Sequence, residues 1–403
     1  MQSPGLIGHK TPFYLYDLDL LERTIGAAAS AASSRGYNIH YALKANHETG
    51  VVSQILDKGI GIDCVSGGEL ERALELGCPA GNIVFAGVGK TDDEIIRAIE
   101  SGILCLNCES LEELEVIDKL ASASKRQVRV ALRVNPDIDP LTHQKISTGK
   151  EEDKFGISTA YLQDALDFCK ESSSIIFAGL HFHIGSQIMS AGPYIELCKR
   201  VNAIWRTFSI DSYGGWILNL GGGLGVNYED PDNNSVPDFE SYFSIFSEYL
   251  DIPGDVSIHF ELGRSLVAQC CRLITRVLYV KKGLSKKMMI VDAGMTELLR
   301  PALYQAVHGI ENLCSSRPSK VYDVVGPACE SSDIFARDIE LPEAARGDII
   351  AIKSCGAYVQ SMSLNYNLRT KAESVYFYPQ SESNVPALNG HPVKTGASLQ
   401  EAF

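Results

Sequence analysis

Hydrophobic and polar positions alternate with two different periods along the chain after residue 37. Short apolar runs rich in β-branched residues predict buried strands, and longer segments with apolar residues at i, i+3, i+4 and i+7 predict amphipathic helices. The predicted strands cover residues 38–44, 61–65, 83–87, 103–107, 128–134, 176–184, 216–220 and 257–261. The predicted helices lie between them, at residues 48–59, 68–77, 91–102, 110–123, 159–171, 193–208 and 238–250.

About eight strand–helix units over about 235 residues are typical of a (β/α)8 barrel of the TIM type. An open doubly wound sheet is the main alternative, and it usually carries a glycine-rich GxGxxG loop after its first strand. Here the first predicted strand is followed by KANHETG, which favours the barrel.

The pattern changes after residue 262 and predicts an antiparallel β domain. Its strand-like segments are 266–281, 288–292, 320–325, 348–353 and 374–378, with one short helical stretch near 296–308. The N-terminal run TPFYLYD predicts a further strand that we expect to pair with this domain. We therefore predict a barrel over residues 27–261 and a β-sandwich or β-barrel-like domain over residues 1–26 and 262–403. The polar, weakly patterned last 25 residues or so give no element prediction.

Composition and charge exclude several classes of function. The 403 residues carry a formal net charge of −14, which disfavours a nucleic-acid or anionic-membrane partner. No apolar run reaches the roughly 18 residues of a membrane helix, and the first residues lack the apolar stretch of a signal peptide. Eleven cysteines without such a signal indicate reduced thiols and a cytoplasmic protein. Cys105 and Cys108 have CxxC spacing, but no second ligand pair follows, so we predict no metal.

Active sites of (β/α)8 barrels lie at the carboxyl ends of the strands. Here these ends carry Lys44, Asp63, His181 and His183, Gly221–Gly223, Glu261 and Arg264. Lys44 stands among apolar neighbours, where it either reaches water or is partly desolvated. A partly desolvated lysine has a lowered pKa and can form a Schiff base.

The other strand ends leave alternatives open when each is taken alone. His181 and His183 share one face of a strand, so they suit a metal, a core histidine or a ring stacked on a planar ligand. Glu261 and Arg264 suit a local salt bridge or a ligand. Three consecutive glycines after the seventh strand favour backbone donors around a phosphate. Pyridoxal 5′-phosphate has a phosphate, an aldehyde for lysine and a ring nitrogen for a carboxylate, so it explains these residues together.

Longer motifs carry a family resemblance over nearly the whole chain. They are YALKAN, DCVSGGEL, VNPDIDPLTHQKISTGKEEDKFGIS, GLHFHIGSQ, NLGGGLGV, ELGRS, DAGMTELLRPALY, VGPACESSD and GAYVQSMSLNYN. In order and spacing they resemble the diaminopimelate decarboxylases, a branch of the fold-type III, alanine-racemase-like decarboxylases that use pyridoxal 5′-phosphate. The DAGMTELLRPALY and VGPACESSD segments are specific to this branch.

The resemblance implies a role for each matching position. Lys44 would bind the cofactor covalently, His183 would stack on its ring, and Glu261 would pair with the ring nitrogen. The remaining cofactor-binding residues would be Asp63, Ser186, Gly221, Gly222, Gly223, Gly263, Arg264 and Tyr358. The substrate would contact Arg264, Arg300, Tyr304, Glu330 and Tyr358. Cys329 would return a proton to the α-carbon. In this family Cys329 and Glu330 come from the partner subunit, which implies a homodimer with shared active sites.

The implied substrate, meso-2,6-diaminopimelate, has an amino-acid group at each end. Arg300 suits its distal carboxylate and Glu330 its distal ammonium. Leu262, the second serine of SSD and the segment SLNYNLRTKAES depart from the usual family pattern. In that segment, Lys371 and the region of Arg369 are expected to alter the wall of the substrate mouth.

Three alternatives to this activity follow from the same residues. A related decarboxylase would act on carboxynorspermidine or on a D- or L-diamino acid such as ornithine or lysine, and it would gain nothing from Arg300. A non-catalytic carrier of pyridoxal phosphate is usually a lone barrel. A metal-dependent hydrolase would use His181 and His183 as ligands.

Overall fold

A computed structural model describes residues 9–139, residues 154–378 and the backbone of residues 393–395. Its larger part is a closed barrel of eight parallel strands, in which the last strand pairs with the first. The barrel strands are β2 (Asn38–Ala42), β3 (Gly61–Cys64), β4 (Ile83–Phe85), β5 (Cys105–Cys108), β6 (Val128–Arg133), β7 (Ile175–His181), β8 (Ile217–Asn219) and β9 (Ser257–Leu262). The predicted (β/α)8 barrel is therefore confirmed.

Amphipathic helices surround the barrel and bury their apolar faces against it. They are α1 (Leu18–Ser33), α2 (Thr49–Asp57), α3 (Gly67–Glu75), α4 (Asp92–Ser101), α5 (Leu111–Ala123), α6 (Leu162–Glu171), α7 (Gly192–Thr207) and α8 (Phe239–Tyr249). Side-chain caps mark several of their starts, as at α4, where Thr91 and Glu94 form a complete capping box. Two shorter helices, α9 (Arg264–Val267) and α10 (Arg300–Tyr304), lie outside this ring.

Several barrel strands end earlier than the sequence predicts. Lys44 lies in a 3-10 turn, Leu43–Ala45, directly after β2, and His183 lies two residues beyond β7. The hydrogen bonds between neighbouring strands end where the chain turns toward the mouth of the barrel. Apolar residues continue beyond that point, so the sequence pattern overestimates the strand length. The continuous strand predicted over 266–281 is also wrong at its start, because α9 precedes β10 (Cys271–Lys282).

The second sheet is mostly antiparallel, as predicted, and contains the N-terminal strand. Its further strands are β1 (Phe13–Asp17), β11 (Lys287–Val291), β12 (Ile310–Asn312), β13 (Ser319–Val325), β14 (Ile334–Pro342), β15 (Ile349–Ile352), β16 (Glu373–Tyr378) and β17 (Val393–Thr395). β1 pairs antiparallel with β10 and parallel with β16, so the TPFYLYD prediction is confirmed. The pairs β11–β13 and β16–β17 are also parallel.

The exact division of the chain at residues 26/27 and 261/262 stays a prediction. The expected lack of pattern after about residue 378 concerns residues that lie mostly outside the described part of the chain. Within the described part, no helix combines the length and the apolar character that crossing a bilayer requires.

The barrel interior has apolar layers as well as buried polar side chains such as Glu261. One layer consists of small and medium side chains, Val84, Cys105, Ala131, Ala178 and Ile217. Burial raises the pKa of Cys105 to about 12 and that of Cys108 well above its ordinary value. The CxxC pair thus consists of buried, protonated thiols, which are poor nucleophiles.

Gly179 in β7 allows two barrel strands to approach closely. It has φ +148°, and a Cβ placed there would lie 1.8 Å from the backbone oxygen of Ile217. We expect Gly179→Ala to destabilise the fold by at least about 2 kcal/mol, because the backbone must shift and the conformation is strained. Thermal unfolding measures the loss. Gly26→Ala, where a Cβ meets no atom within 4 Å, is the matched control and should leave the midpoint unchanged or raise it. Equal midpoints for both variants would contradict the close packing.

Candidate active site

A cavity of about 550 Å³ opens at the carboxyl ends of the barrel strands. It is lined by Ala42, Lys44, His183, Ser186, Gln187, Met189, Gly223, Leu224, Val226, Asn227, Tyr228, Glu229, Glu261, Gly263, Arg264, Ser265, Arg300, Tyr304, Ala306, Val307 and Tyr358. Most of the residues singled out from the sequence therefore meet in one place. The barrel and the segment 300–307 form most of the wall, and Tyr358 completes it from beyond β15.

Lys44 and Asp63 form an ion pair at the ends of the first two barrel strands. The Nζ of Lys44 lies 3.1 Å from Oδ2 of Asp63, which is fully buried. Burial lowers the pKa of Lys44, but Asp63 and Glu261 outweigh it and hold this pKa above the ordinary lysine value. The expectation of a lowered lysine pKa is therefore wrong for the chain without a ligand.

The carboxylate of Glu261 is buried in the barrel and receives hydrogen bonds from three other strands. Oε1 accepts from Nδ2 of Asn107 at 3.1 Å and from Nδ2 of Asn219 at 2.8 Å. Nε2 of His181 lies 3.1 Å from Oε2. Burial opposes the charged form, but His181 and Lys44 outweigh it and lower the pKa of Glu261. Glu261 is thus held as a carboxylate at the cavity wall.

The two histidines of the HxH motif have different partners. His181 contacts Glu261, whereas Nδ1 of His183 accepts the backbone N–H of Gly222 at 3.2 Å. Burial and the guanidinium of Arg133 lower the pKa of His183 to about 3, so its ring is neutral. A neutral ring at the cavity wall suits stacking against a flat ligand. Within the described residues, no cluster of three or more His, Cys, Asp or Glu side chains could hold a metal ion.

The glycine run after β8 is required by packing within the protein. A Cβ on Gly222 would lie 1.8 Å from the backbone oxygen of Glu261, and one on Gly221 would lie 2.4 Å from that of Phe182. Gly223 lines the cavity, whereas Gly221 and Gly222 do not. The close approach therefore explains these two glycines without a ligand, and their part in holding a phosphate stays a prediction.

Arg264 is a buried cation with neutral partners. Its Nε and Nη2 donate to Oγ of Ser186 at 3.3 and 2.9 Å, and Nη1 donates to the hydroxyl of Tyr228 at 2.6 Å. Its guanidinium carbon lies 4.8 Å from the ring centre of Tyr358. Since Ser186 accepts both of these bonds, its own hydroxyl hydrogen remains available for an acceptor.

Arg300 is a second buried cation on the same wall. Its guanidinium lies 4.2 Å from the ring centre of Tyr228 and donates from Nη1 to Nε2 of His308 at 2.9 Å. Across the described ranges, neither Arg264 nor Arg300 forms an ion pair with a carboxylate. Because a buried unpaired charge is costly, two such cations beside a cavity indicate that two anionic groups bind there.

Two predicted site residues lie away from this cavity. Cys329 and Glu330 are exposed on the loop between β13 and β14, and Glu330 accepts a hydrogen bond from the hydroxyl of Tyr366 at 2.7 Å. Arg369 and Lys371 are not among the lining residues, and Arg369 instead donates to the backbone oxygen of Asp292. The expectation that these two side chains alter the wall of the substrate mouth stays a prediction.

Four residues of the site were missed in the sequence: Asn107, Asn219, Tyr228 and His308. The two asparagines stand alone in the apolar runs CLNC and ILNL, which is a signal for a buried polar contact. Tyr228 and His308 lie in irregular segments, and nothing in the local pattern distinguishes them.

The side chains around the cavity fit a phosphate-bearing pyridine aldehyde. Lys44 offers a primary amine, and Glu261 offers an ionised carboxylate with acceptor capacity remaining on Oε2. Arg264 and Ser186 offer N–H and O–H donors for an anion. The buried guanidinium charge of Arg264 is not neutralised by any described carboxylate. Pyridoxal 5′-phosphate carries the three complementary groups.

The comparisons with known proteins agree with this fit. Residues 18–268 match the family model of the pyridoxal-dependent decarboxylases, pyridoxal binding domain. The fold and the site thus define a decarboxylase dependent on pyridoxal phosphate.

Similar proteins of known sequence and structure place the chain in one family of these decarboxylases. The chain is 49% identical to diaminopimelate decarboxylase of Bacteroides thetaiotaomicron over 361 residues, which are 89% of this chain and 94% of that one. It is 41% identical to that of Helicobacter pylori over 365 residues, covering 90% and 89%. The crystal structure of the Helicobacter pylori enzyme complexed with L-lysine aligns with a TM-score of 0.87 over 92% of each chain. The chain belongs to the diaminopimelate decarboxylase family.

The Lys44–Asp63 pair predicts the reactivity of the lysine. In Asp63→Asn without cofactor, the pKa of Lys44 should fall, because the carboxylate that stabilises its ammonium form is gone and burial remains. Reductive methylation of Lys44, followed against pH by mass spectrometry, should therefore begin at lower pH than in the parent protein. The exposed Lys119 is the internal control and should react alike in both proteins. An unchanged profile for Lys44 would contradict the electrostatic pairing.

Proposed function

We propose that this chain decarboxylates meso-2,6-diaminopimelate to L-lysine and CO2, with pyridoxal 5′-phosphate bound at Lys44. The observation that carries the proposal is the pair of buried guanidinium groups on one cavity wall. Arg264, with Ser186, suits the phosphate of the cofactor. Arg300 remains for a second anion, and the substrate supplies it as the carboxylate of its distal amino-acid group.

The chain's own groups would hold the cofactor in one orientation. Gly221 to Gly223, Gly263 and Tyr358 complete the surroundings of its phosphate. The neutral His183 would stack against its ring, and Asp63 would stay beside Lys44. When bound, the cofactor takes up the electron pair that the departing CO2 leaves behind.

Glu261 sets the electronic state of the site. Because its carboxylate is kept ionised by N–H donors from three strands, it would keep the ring nitrogen of a bound cofactor protonated. A charged ring is the better electron acceptor. Burial strengthens this contact, since little water competes for the carboxylate.

Substrate choice would depend on Arg300 and the residues beside it. Arg300 binds the distal carboxylate, and Tyr304 and Tyr358 lie on the same wall. Arg264 also faces the substrate. A substrate without a distal carboxylate, such as ornithine, lysine or carboxynorspermidine, would leave the Arg300 cation buried without a partner. This disfavours the alternative activities.

The active unit is proposed to be a homodimer with two shared sites. Cys329 and Glu330 lie exposed on one loop and outside their own chain's cavity, as residues that serve a partner's cavity must. Cys329 then returns a proton to the α-carbon, and Glu330 binds the distal ammonium group. The cytoplasmic location expected from the cysteine content stays a prediction.

The first test is substrate choice. CO2 release should be fast with meso-diaminopimelate and slow with lysine, ornithine and carboxynorspermidine, measured side by side. Arg300→Ala should lower kcat/KM for diaminopimelate by roughly 30- to 900-fold, which corresponds to about 2–4 kcal/mol for a buried carboxylate without its partner. Arg23→Ala, at an exposed position of α1, is the control and should keep parental efficiency. Parental efficiency in Arg300→Ala would refute the role in binding the distal carboxylate.

The second test concerns the shared site. Lys44→Ala and Cys329→Ala homodimers should each be nearly inactive. Mixing them equally, with free subunit exchange, makes about half of the dimers mixed, and each mixed dimer has one intact site. About a quarter of the parental activity should therefore return. Mass spectrometry of differently tagged chains verifies the exchange. Mixed dimers without recovered activity would show that each site is built within one chain.

A further inference from the structure

His308 contacts the substrate-binding arginine and has no part in the reaction proposed above. It is buried, and it follows the short helix α10 that begins with Arg300. Its ring lies 2.9 Å from two atoms, the backbone oxygen of Lys353 at Nδ1 and Nη1 of Arg300 at Nε2. The ring therefore bridges the sheet and the guanidinium.

These two contacts determine where the hydrogen of the imidazole lies. A backbone oxygen only accepts, so Nδ1 of His308 must carry the hydrogen. The guanidinium of Arg300 only donates, so Nε2 must be bare. The ring is thus neutral and fixed as one tautomer. Burial and the charge of Arg300 lower the pKa of His308 to about 3, in agreement with this state.

The surrounding sheet holds the ring in place. Lys353 directly follows β15, and its N–H donates to the oxygen of Gly309 at 2.8 Å. The N–H of Gly309 in turn donates to the oxygen of Tyr228 at 2.9 Å. The ring of Tyr228 packs edge-to-face against His308, with centres 5.0 Å apart, and also lies against the guanidinium of Arg300. Pairing of β12 with β15 therefore fixes both the acceptor and the aromatic surface that Arg300 contacts.

We propose that His308 is the positioning residue that orients Arg300 toward the distal carboxylate of the substrate without neutralising it. A carboxylate in the place of His308 would hold the guanidinium equally well but would cancel its charge. A neutral acceptor leaves the full positive charge for the ligand. The inference rests on the proposed function, because it assigns the ligand of Arg300.

Two substitutions of similar size separate the two contacts of the ring. In His308→Gln, the amide oxygen can take the place of Nε2 and still accept from Arg300. In His308→Asn, the amide nitrogen takes the place of Nδ1 and still donates to Lys353, but Arg300 loses its acceptor. We expect His308→Asn to raise KM for meso-diaminopimelate at least tenfold with kcat within threefold, because the contact with the distal group is made before and during the reaction. His308→Gln should keep KM within threefold.

A double-substitution comparison tests whether His308 acts through Arg300. In the Arg300→Ala background, His308→Asn should change KM by less than twofold, because its effect requires the guanidinium. Thermal unfolding midpoints and cofactor content, read from the visible absorbance, should match among the variants. If His308→Asn does not fold, His308→Ser takes its place.

The possible outcomes are distinct. An unchanged KM in His308→Asn, equal effects of Asn and Gln, or additive effects with Arg300→Ala would each overturn the positioning role. If Arg300→Ala itself leaves KM for diaminopimelate unchanged, the proposed distal contact fails first. If Arg300→Ala raises KM and His308→Asn does not, only the role of His308 fails.

Discussion

The buried carboxylate of Glu261 is the constraint around which the barrel interior is arranged. A charge at that depth is tolerated only when donors surround it, and here Asn107, His181 and Asn219 supply them from three other strands. Each donor must lie at the same height in the barrel as Glu261. Strand register, the closed ladder and the close approach at Gly222 thus all serve one carboxylate, whose ionised state the chemistry needs.

Within the described residues, the two buried arginines of the cavity keep their charge without a partner of opposite charge. Arg264 and Arg300 are held by neutral groups, namely hydroxyls, aromatic faces and one imidazole, so that position is fixed while charge is left uncompensated. Because no carboxylate in the described ranges pairs with either guanidinium, the ligand-free cavity is electrostatically costly. An anion bound beside the two guanidinium groups would offset this cost.

The second sheet contributes to the site although the bound cofactor would belong to the barrel. β1 lies between β10 and β16, and α1 follows β1 directly, so the beginning of the chain joins the sheet to the barrel. The segments that carry Arg300, His308 and Tyr358 are held by this sheet. Tyr358 donates its N–H to the oxygen of Ala45, one residue from Lys44, and so links the two parts at the reactive lysine.

Periodicity in the sequence was sufficient for the barrel, the ring of helices and the additional N-terminal strand, because burial of one face imposes a regular spacing of apolar residues. Polar residues at strand ends identified Lys44, His183, Glu261 and Arg264 for the same reason, since polar groups interrupt such a pattern only where they have partners. The parallel pairs in the second sheet, the upward shift of the pKa of Lys44 and the contacts of Tyr228 and His308 required the tertiary structure. They depend on residues far apart in the chain that approach only after folding, and the electrostatic state of a buried group is set by those neighbours rather than by the residues next to it in sequence.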